Sequence, residues 1–304
     1  MYKRQAPHSV APRAAKASTP RPGSFVSLTS QRLLDTRTGA PLAPRATRSL
    51  AVAGQDGMPT TGVGTVVLTV TAVSDPSGGY LTIYGDGSTR PTVASLNYAG
   101  GYSRSNEVFT QLGADGAVAM YNGADTSTNV TVDVAGYYLA GGTAGGSYVP
   151  VAPTRLLDTR TAAKPTARGE RWVTIAGSGG LPAQVSAVVL NVAALQPTRS
   201  GHLDLDADAR PGVQSAVFFR AGQSVSNLAI VTPDGAGRLA LINQAQGSTG
   251  VTVDVFGYFV TGAPGAAGLF GPNLSSKLFD TRRIGDDHAP VSYTHLTLPT
   301  NREV

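Results

Sequence analysis

The chain has no cysteine and few charged residues, and these shortages exclude several kinds of function. Without cysteine it can form no disulfide framework, no thiolate nucleophile and no cysteine-ligated metal site. Charged residues make up 14% of the 304 residues, yet no run approaches the ~18 apolar residues of a membrane helix. We therefore expect no membrane insertion and no chemistry based on sulfur.

Histidine is also scarce, with four in the whole chain. His8, His288 and His295 lie towards the two ends, so His202 is the one histidine inside the repeated part of the sequence. A Ser-His-Asp site and a histidine-ligated zinc site both need more histidine than this arrangement supplies. The sequence therefore predicts no catalytic residue, no metal and no cofactor, and indicates that the protein is not an enzyme.

The net charge of +5 does not indicate a nucleic-acid-binding protein. Five of the 24 basic residues lie in residues 1–24, which contain no acid, and the other 19 balance the 19 acidic residues. A neutral body lacks the clustered cations that release counterions from phosphates. We interpret 1–24 as a disordered, basic, Ala/Pro-rich tail without the apolar core of a signal peptide, and we exclude nucleic acid as a partner.

A repeat organises the rest of the sequence. The segment 32–37 reads Arg-Leu-Leu-Asp-Thr-Arg, and it recurs 123 residues later at 155–160. A degenerate copy follows after another 122 residues, at 277–282. An aromatic residue stands seven positions ahead of every copy. These aromatics are Phe25, Tyr148 and Phe270. The recurrence marks the head of a repeated structural unit.

Alternation of apolar and polar residues predicts β-strands in both copies. Large apolar residues alternate with threonine over 66–72, as expected of a half-buried strand. The next strand, 79–84, and its counterpart 201–206 keep leucine or isoleucine at the inward positions. Their outward positions are Tyr80, Thr82 and Tyr84 in the first copy and His202, Asp204 and Asp206 in the second. The fold therefore constrains one face, and we predict that the other face is solvated.

Three acids at alternating positions, Asp204, Asp206 and Asp208, resemble the start of a calcium loop. The pattern fails where Ala209 replaces the turn glycine and where Ser215 replaces the final acid. A solvated strand face is the interpretation that we prefer to a metal site.

The sequence thus predicts an all-β chain with two tandem β-sandwich domains of about eight strands each, plus an incomplete third repeat. The predicted sandwiches are 25–139 and 148–260, the Gly-rich linkers are 140–147 and 261–268, and the truncated third repeat with a non-native tail is 269–304. Linkers this short and flexible leave two domains free to reorient unless they share an interface. The strings at both extremes resemble adapter read-through in translated metagenomic fragments. We therefore expect a monomeric fragment of a longer chain.

Several motifs occur in the order of a known repeat. They are Arg-Leu-Leu-Asp-Thr-Arg at 32–37, Gly-Tyr-Leu-Thr-Ile-Tyr at 79–84, Ser-Leu-Asn-Tyr at 95–98, Val-Asp-Val-Ala-Gly-Tyr-Tyr at 132–138 and Val-Val-Leu-Asn-Val-Ala-Ala at 188–194. Over residues 25–260 the chain resembles a β-rich repeat of ~120 residues from large secreted or cell-wall-associated actinobacterial proteins, often next to hydrolase or other surface modules. The resemblance implies an extracellular or cell-wall-associated accessory module and no particular chemistry. The second copy departs from it at His202, Asp204 and Asp206, where the family tends to show Tyr and Thr.

Recurring aspartates raise the alternative of an enzyme, because glycoside hydrolysis uses a pair of carboxylates. However, Asp35 stands two residues before Arg37 in an otherwise apolar strand, and buried carboxylates are commonly paired with arginine. We therefore interpret the recurring charges as internal bracing of the sandwich. The structural signature comprises Arg32, Asp35, Arg37 and Asp133 in the first copy and Arg155, Asp158, Arg160 and Asp254 in the second.

Aromatic side chains on outward strand faces are candidates for sugar binding. The candidates are Tyr80, Tyr84, Tyr102, Tyr121 and Trp172. We therefore predict a non-enzymatic extracellular or cell-surface tandem module for spacing, display or adhesion. Its partners would be cell-wall glycan, bound weakly, or another surface protein. The alternative is a glycan-active hydrolase or its accessory carbohydrate-binding module.

Overall fold

A computed structural model of the chain describes residues 23–73, 77–141, 145–260 and 269–270. The described residues form sixteen β-strands and one turn of 3₁₀-helix at Thr36–Thr38. None of the helical structure in these ranges is long and apolar enough to cross a membrane. The all-β class predicted from the sequence is confirmed. The predictions for residues 1–22, 261–268 and 271–304 lie outside the described residues.

Each repeat forms eight strands, and we call the repeats unit 1 (25–139) and unit 2 (148–260). The strands of unit 1 are β1 (Phe25–Asp35), β2 (Thr47–Ala51), β3 (Val63–Val73), β4 (Gly78–Gly85), β5 (Leu96–Ala99), β6 (Arg104–Gln111), β7 (Ala117–Asn122) and β8 (Asn129–Leu139). The strands of unit 2 are β9 (Ser147–Asp158), β10 (Glu170–Thr174), β11 (Ala187–Leu195), β12 (Gly201–Asp206), β13 (Ser215–Phe219), β14 (Val225–Val231), β15 (Arg238–Asn243) and β16 (Gly250–Val260). The count agrees with the number predicted for each sandwich.

The two units have the same topology, with two antiparallel four-stranded sheets in each. The inner sheets, which face the other unit, have the orders β1-β8-β3-β6 and β9-β16-β11-β14. The outer sheets have the orders β2-β7-β4-β5 and β10-β15-β12-β13, and the edge strand β13 also contacts β3 and β6 of unit 1. Each pair of sheets encloses its own apolar core, because alternate residues of every strand point into the sandwich. The inward residues of β4 and β12, among them Leu81 and Leu203, are fully buried as predicted.

A third apolar cluster joins the two units. The aromatic residue at the head of each repeat lies in or against it: Phe25 is 4.4 Å from Phe259 and 5.0 Å from Tyr138, measured between ring centroids. Tyr148 is 5.4 Å from Phe259, and Phe270 is 4.4 Å from Tyr138. The two units therefore share an interface. The sequence did not predict whether such an interface exists, and its presence means that the units do not reorient freely.

This interface buries residues that the sequence predicted to face solvent. Thr69 and Thr71 on the outward face of β3 are each 2% exposed, so the prediction of a half-buried strand is wrong. The reason is that unit 2 covers the inner sheet of unit 1. The segments between repeats also take part: Gly145 donates its N–H to Ser24 Oγ at 2.8 Å, and Gly146 pairs with Phe25.

Candidate functional site

An open pocket of unit 1 lies on the outer sheet above Tyr80. Its volume is about 700 Å³, and its lining comprises Tyr80, Thr82, Arg90, Pro91, Thr92, Val93, Ala94 and Asn97. Strand β5 places Asn97 directly beside Tyr80 on β4. The segment between β4 and β5 folds back over the strand, since the hydroxyl of Thr82 donates to the carbonyl of Val93 at 3.2 Å. We call this concavity the Tyr80 pocket.

One face of the Tyr80 ring rests on the backbone of Gly123. A Cβ atom at residue 123 would lie 2.2 Å from the ring, so this close approach requires glycine. Tyr121 lies beside Tyr80, at 6.1 Å between ring centroids, but is only 7% exposed. The guanidinium of Arg90 covers the Tyr121 ring at 3.7 Å from its centroid. Tyr80 is therefore the aromatic wall of the pocket, and Tyr121 supports it from below.

The structure does not bring all five predicted aromatic residues together. Tyr84 shares a strand and a face with Tyr80 but lies outside the lining of the pocket. Tyr102 is 40% exposed at the boundary between the units, where the Arg220 guanidinium lies 3.3 Å from its ring centroid. Trp172 is 38% exposed on the outer sheet of unit 2. The five residues thus belong to three separate surfaces.

The signature residues of unit 1 form one ion-pair network. Arg32 bonds to both oxygens of Asp133 and to Asp35 at 3.2 Å, and Arg37 bonds to Asp35 at 2.5 Å. Hydrogen bonds from Arg37 lower the pKa of Asp35 to about 2. Asp133 is 0% exposed, and this burial raises its pKa to about 6 although Arg32 opposes the shift.

Unit 2 repeats this network with more exposure. Arg155 bonds to both oxygens of Asp254 and to Asp158 at 2.9 Å, and Arg160 bonds to Asp158 at 2.6 Å. The Asp254 side chain is 17% exposed, whereas that of Asp133 is 1% exposed. The hydrogen bonds from Arg160 hold the pKa of Asp158 well below its usual range. In both units the carboxylates of the first strand are held ionised by arginine, as bracing requires.

The outward acids of β12 are buried, so the prediction of a solvated face is wrong there, and it is also wrong at Thr82 on β4, which is 2% exposed. Asp204 and Asp206 are 0% and 1% exposed. Asp206 forms an ion pair with Arg210 at 2.9 Å, and Asp204 accepts a hydrogen bond from the N–H of Gly212 at 2.7 Å. The two acids therefore fold the segment 207–214 back onto their own strand.

That segment docks on unit 1. Arg210 donates to the carbonyl of Ser30 at 2.8 Å, and Arg32 donates to the carbonyl of Gly212. Thr232 also donates to the carbonyl of Leu28, at 3.1 Å. We call 207–214 the docking segment. Sequence reasoning missed this role because local spacing does not show a contact between residues 180 positions apart.

His202 lies between the units, with its Nε2 atom 3.5 Å from Asp204 Oδ1. Burial lowers the pKa of His202 and raises that of Asp204. Over the described residues, no group of three or more histidine, aspartate or glutamate side chains could hold a metal ion. Asp204, Asp206 and Asp208, whose spacing resembles a calcium loop, thus do not form such a group.

No protein-family model matches the sequence, and no curated protein is similar to it. Solved structures with a similar arrangement include the major capsid protein P2 of bacteriophage PM2, with 8% identity, coverage of 79% of this chain and 98% of that one, and a TM-score of 0.21. The CBM22-1-CBM22-2 tandem domain of Paenibacillus barcinonensis Xyn10C has 11% identity, coverage of 79% and 100%, and a TM-score of 0.19. Cowpea mosaic virus top component has 11% identity, coverage of 87% and 99%, and a TM-score of 0.20.

Proposed function

We propose that the chain is a non-enzymatic extracellular or cell-surface tandem module that binds glycan weakly in the Tyr80 pocket. The observation that carries this proposal is the concavity of about 700 Å³ over an aromatic wall. Sugar sites combine an aromatic ring, which packs on the C–H face of a pyranose, with planar polar groups that bond its hydroxyls. Tyr80 supplies the ring, and the Asn97 amide and the Arg90 guanidinium supply the polar groups.

A glycan-active hydrolase is the competing function, and the recurring carboxylates fit it less well. A general acid must hold its proton near neutral pH and reach the substrate. Asp35 does not hold a proton there, because its pKa is about 2. Asp133, with a pKa of about 6, is 0% exposed and bonded to Arg32 through both oxygens. The carboxylates support bracing rather than proton transfer.

The proposal is tested by calorimetric titration of the full chain with chitotetraose and with soluble peptidoglycan fragments. We expect binding in the millimolar range that Tyr80→Ala weakens about tenfold or more, because the stacking surface is lost. Asn97→Ala should weaken it severalfold by removing a hydrogen-bonding amide. Tyr84→Ala is the matched control, since it removes a tyrosine of the same strand face outside the pocket.

Two results would contradict the proposal. One is an absence of binding heat with both ligands at millimolar concentration. The other is an equal loss of affinity in Tyr80→Ala and Tyr84→Ala, which would place the ligand elsewhere. Thermal unfolding of each variant shows whether the fold is retained.

A further inference from the structure

A second concavity lies between the two units and shares no residue with the Tyr80 pocket. It consists of two neighbouring cavities of about 290 and 310 Å³, which have Ser103, His202 and Phe218 in common. Unit 1 contributes the turn 101–104, and unit 2 contributes the ends of β12 and β13. We call the first of these cavities the inter-unit cleft. It exists only because the units are docked.

The charged residues that line this cleft are all positive. Arg104 and Arg220 line it, and the lining contains no aspartate or glutamate. Over the ranges that the structure describes, neither arginine forms an ion pair with a carboxylate, whereas Arg32, Arg210 and Arg238 all do. Two guanidinium groups without carboxylate partners at the wall of a cavity favour an anionic ligand, because arginine binds planar carboxylates through paired hydrogen bonds.

The cleft also contains ring faces and neutral polar groups. Tyr102 from unit 1 is 40% exposed and has the Arg220 guanidinium over one face of its ring, and Phe218 from unit 2 lies 4.7 Å from the His202 ring. Ser200 and Gln223 complete the wall beside Arg220. Aromatic rings beside hydroxyl and amide groups suit a sugar ring. A small inorganic anion would leave these groups without contacts.

We propose that the inter-unit cleft binds an acidic sugar through its carboxylate. Arg104 and Arg220 hold the carboxylate from the two sides of the interface, and Tyr102 and Phe218 lie along the sugar ring. Because each unit supplies one arginine and one aromatic ring, a ligand in this cleft holds the units together. The site is independent of glycan binding in the Tyr80 pocket.

The test uses the full chain and a three-residue galacturonate oligosaccharide, titrated by calorimetry at low ionic strength. The matched ligand is the same oligosaccharide with its carboxyl groups reduced to alcohols, and inorganic phosphate is a third probe. We expect the acidic oligosaccharide to bind and the reduced one to bind at least tenfold more weakly, because charge-assisted hydrogen bonds are lost. Added salt at 0.5 M should weaken the binding, since the site is open to solvent.

Arg104→Ala and Arg220→Ala should each weaken binding of the acidic oligosaccharide about tenfold. Arg220 is exposed, so Arg220→Gln provides a second variant in which the fold is not at risk. Arg238→Ala is the matched control, because Arg238 also lies over an exposed aromatic ring, at 4.6 Å from the Trp172 centroid, but outside the cleft. Tyr80→Ala should leave this affinity unchanged.

Three results would overturn the inference. The first is equal affinity for the acidic and the reduced oligosaccharide, or none for either at millimolar concentration. The second is an equal effect of Arg220→Gln and Arg238→Ala. The third is binding of inorganic phosphate that depends on Arg220 while the oligosaccharide does not bind, which would indicate a general anion site.

Discussion

The two units have the same eight strands in the same sheet orders, yet they use one face of the fold differently. In unit 1 the outward face of β4 carries Tyr80 and Thr82 and forms the floor of an open pocket. In unit 2 the same face of β12 carries Asp204 and Asp206, and both are buried beneath the docking segment. The same strand face thus lines a concavity in unit 1 and holds the docking segment in unit 2.

The comparison also shows where the fold tolerates change. The inward residues of β4 and β12 keep the same size and are buried in both units. The outward residues differ because nothing inside the sandwich fixes them. A repeat can therefore carry a docking segment without any change in the inward residues of the strand beneath it.

The largest expected effect concerns the buried acid that anchors the docking segment. Asp206→Ala removes a buried carboxylate that accepts hydrogen bonds from the backbone N–H and the guanidinium of Arg210, and we expect the free energy of unfolding to fall by about 3–4 kcal/mol. Denaturant unfolding measures this loss. Asp208→Ala is the control, since Asp208 lies 3.6 Å from the same arginine but its side chain is 59% exposed, and it should change stability by less than about 0.5 kcal/mol. Equally small effects of the two substitutions would mean that the buried pair of Asp206 and Arg210 contributes nothing to stability.

A smaller effect concerns the pH dependence of stability, which we attribute mainly to Glu107 in unit 1. Glu107 on β6 accepts a hydrogen bond from Thr69 at 2.8 Å, while its buried Oε2 atom has no hydrogen-bond partner among the described residues. Burial raises the pKa of Glu107 from 4.5 to about 7. A raised carboxyl pKa stabilises the folded state below the unfolded pKa, and this stability is lost as pH rises towards 7.

Glu107→Gln should therefore remove on the order of 2–3 kcal/mol of the decline in stability between about pH 4.5 and pH 7. A further decline remains from Asp133 and Asp204, whose pKa values burial also raises. Leu228 occupies the corresponding position in unit 2, so Leu228→Gln is the control and should leave the pH profile unchanged. Parallel profiles for the wild type and Glu107→Gln would show that Glu107 titrates as an exposed group.

The smallest effect is expected for the signature acids of the first strands. Asp35→Asn and Asp158→Asn remove ion pairs to arginines whose side chains are 52% and 62% exposed, and solvent screens such pairs. We expect a loss of at most about 1 kcal/mol at neutral pH for Asp35→Asn, seen as a small shift in the denaturation midpoint. Its lowered pKa also means that wild-type Asp35 loses this stability as pH falls from about 4 towards 2, and Asp35→Asn does not.

The same pair of variants tests the enzyme alternative. Both variants should fold, and neither should differ from the wild type in hydrolysis of glycan substrates. If either variant folds normally and abolishes a hydrolytic activity that the wild type shows, the bracing interpretation of Asp35 and Asp158 is wrong.

Much of the fold follows from the sequence because local patterns carry it. Alternation in β3, β4 and β8 identifies strands, and the recurrence of 32–37 gives the number of units. The interface did not follow, because Thr69 and Thr71 have the polarity of a solvated strand face and yet lie under unit 2. One signal could have revealed it: an aromatic residue stands both at the head of each repeat and on its last strand.

The candidate sites followed from the sequence only in part. Tyr80 was identified because its residue type and outward position suit a sugar site, and both features are local. The cleft residues Arg104, Arg220 and Phe218 were missed, because they converge only when two units dock. The burial of Asp204 and Asp206 was missed for the same reason, since a segment that folds back and contacts another unit leaves no mark in strand periodicity.

The central claim is that one face of the repeat is an open ligand site in unit 1 and a docked surface in unit 2. Backbone and side-chain NMR of the full chain, titrated with chitotetraose, tests it most directly. The account predicts chemical-shift changes at Tyr80 and Asn97 and none at their counterparts His202 and Phe218 on β12 and β13. Equal changes at both sets of residues, or changes at neither, would contradict it.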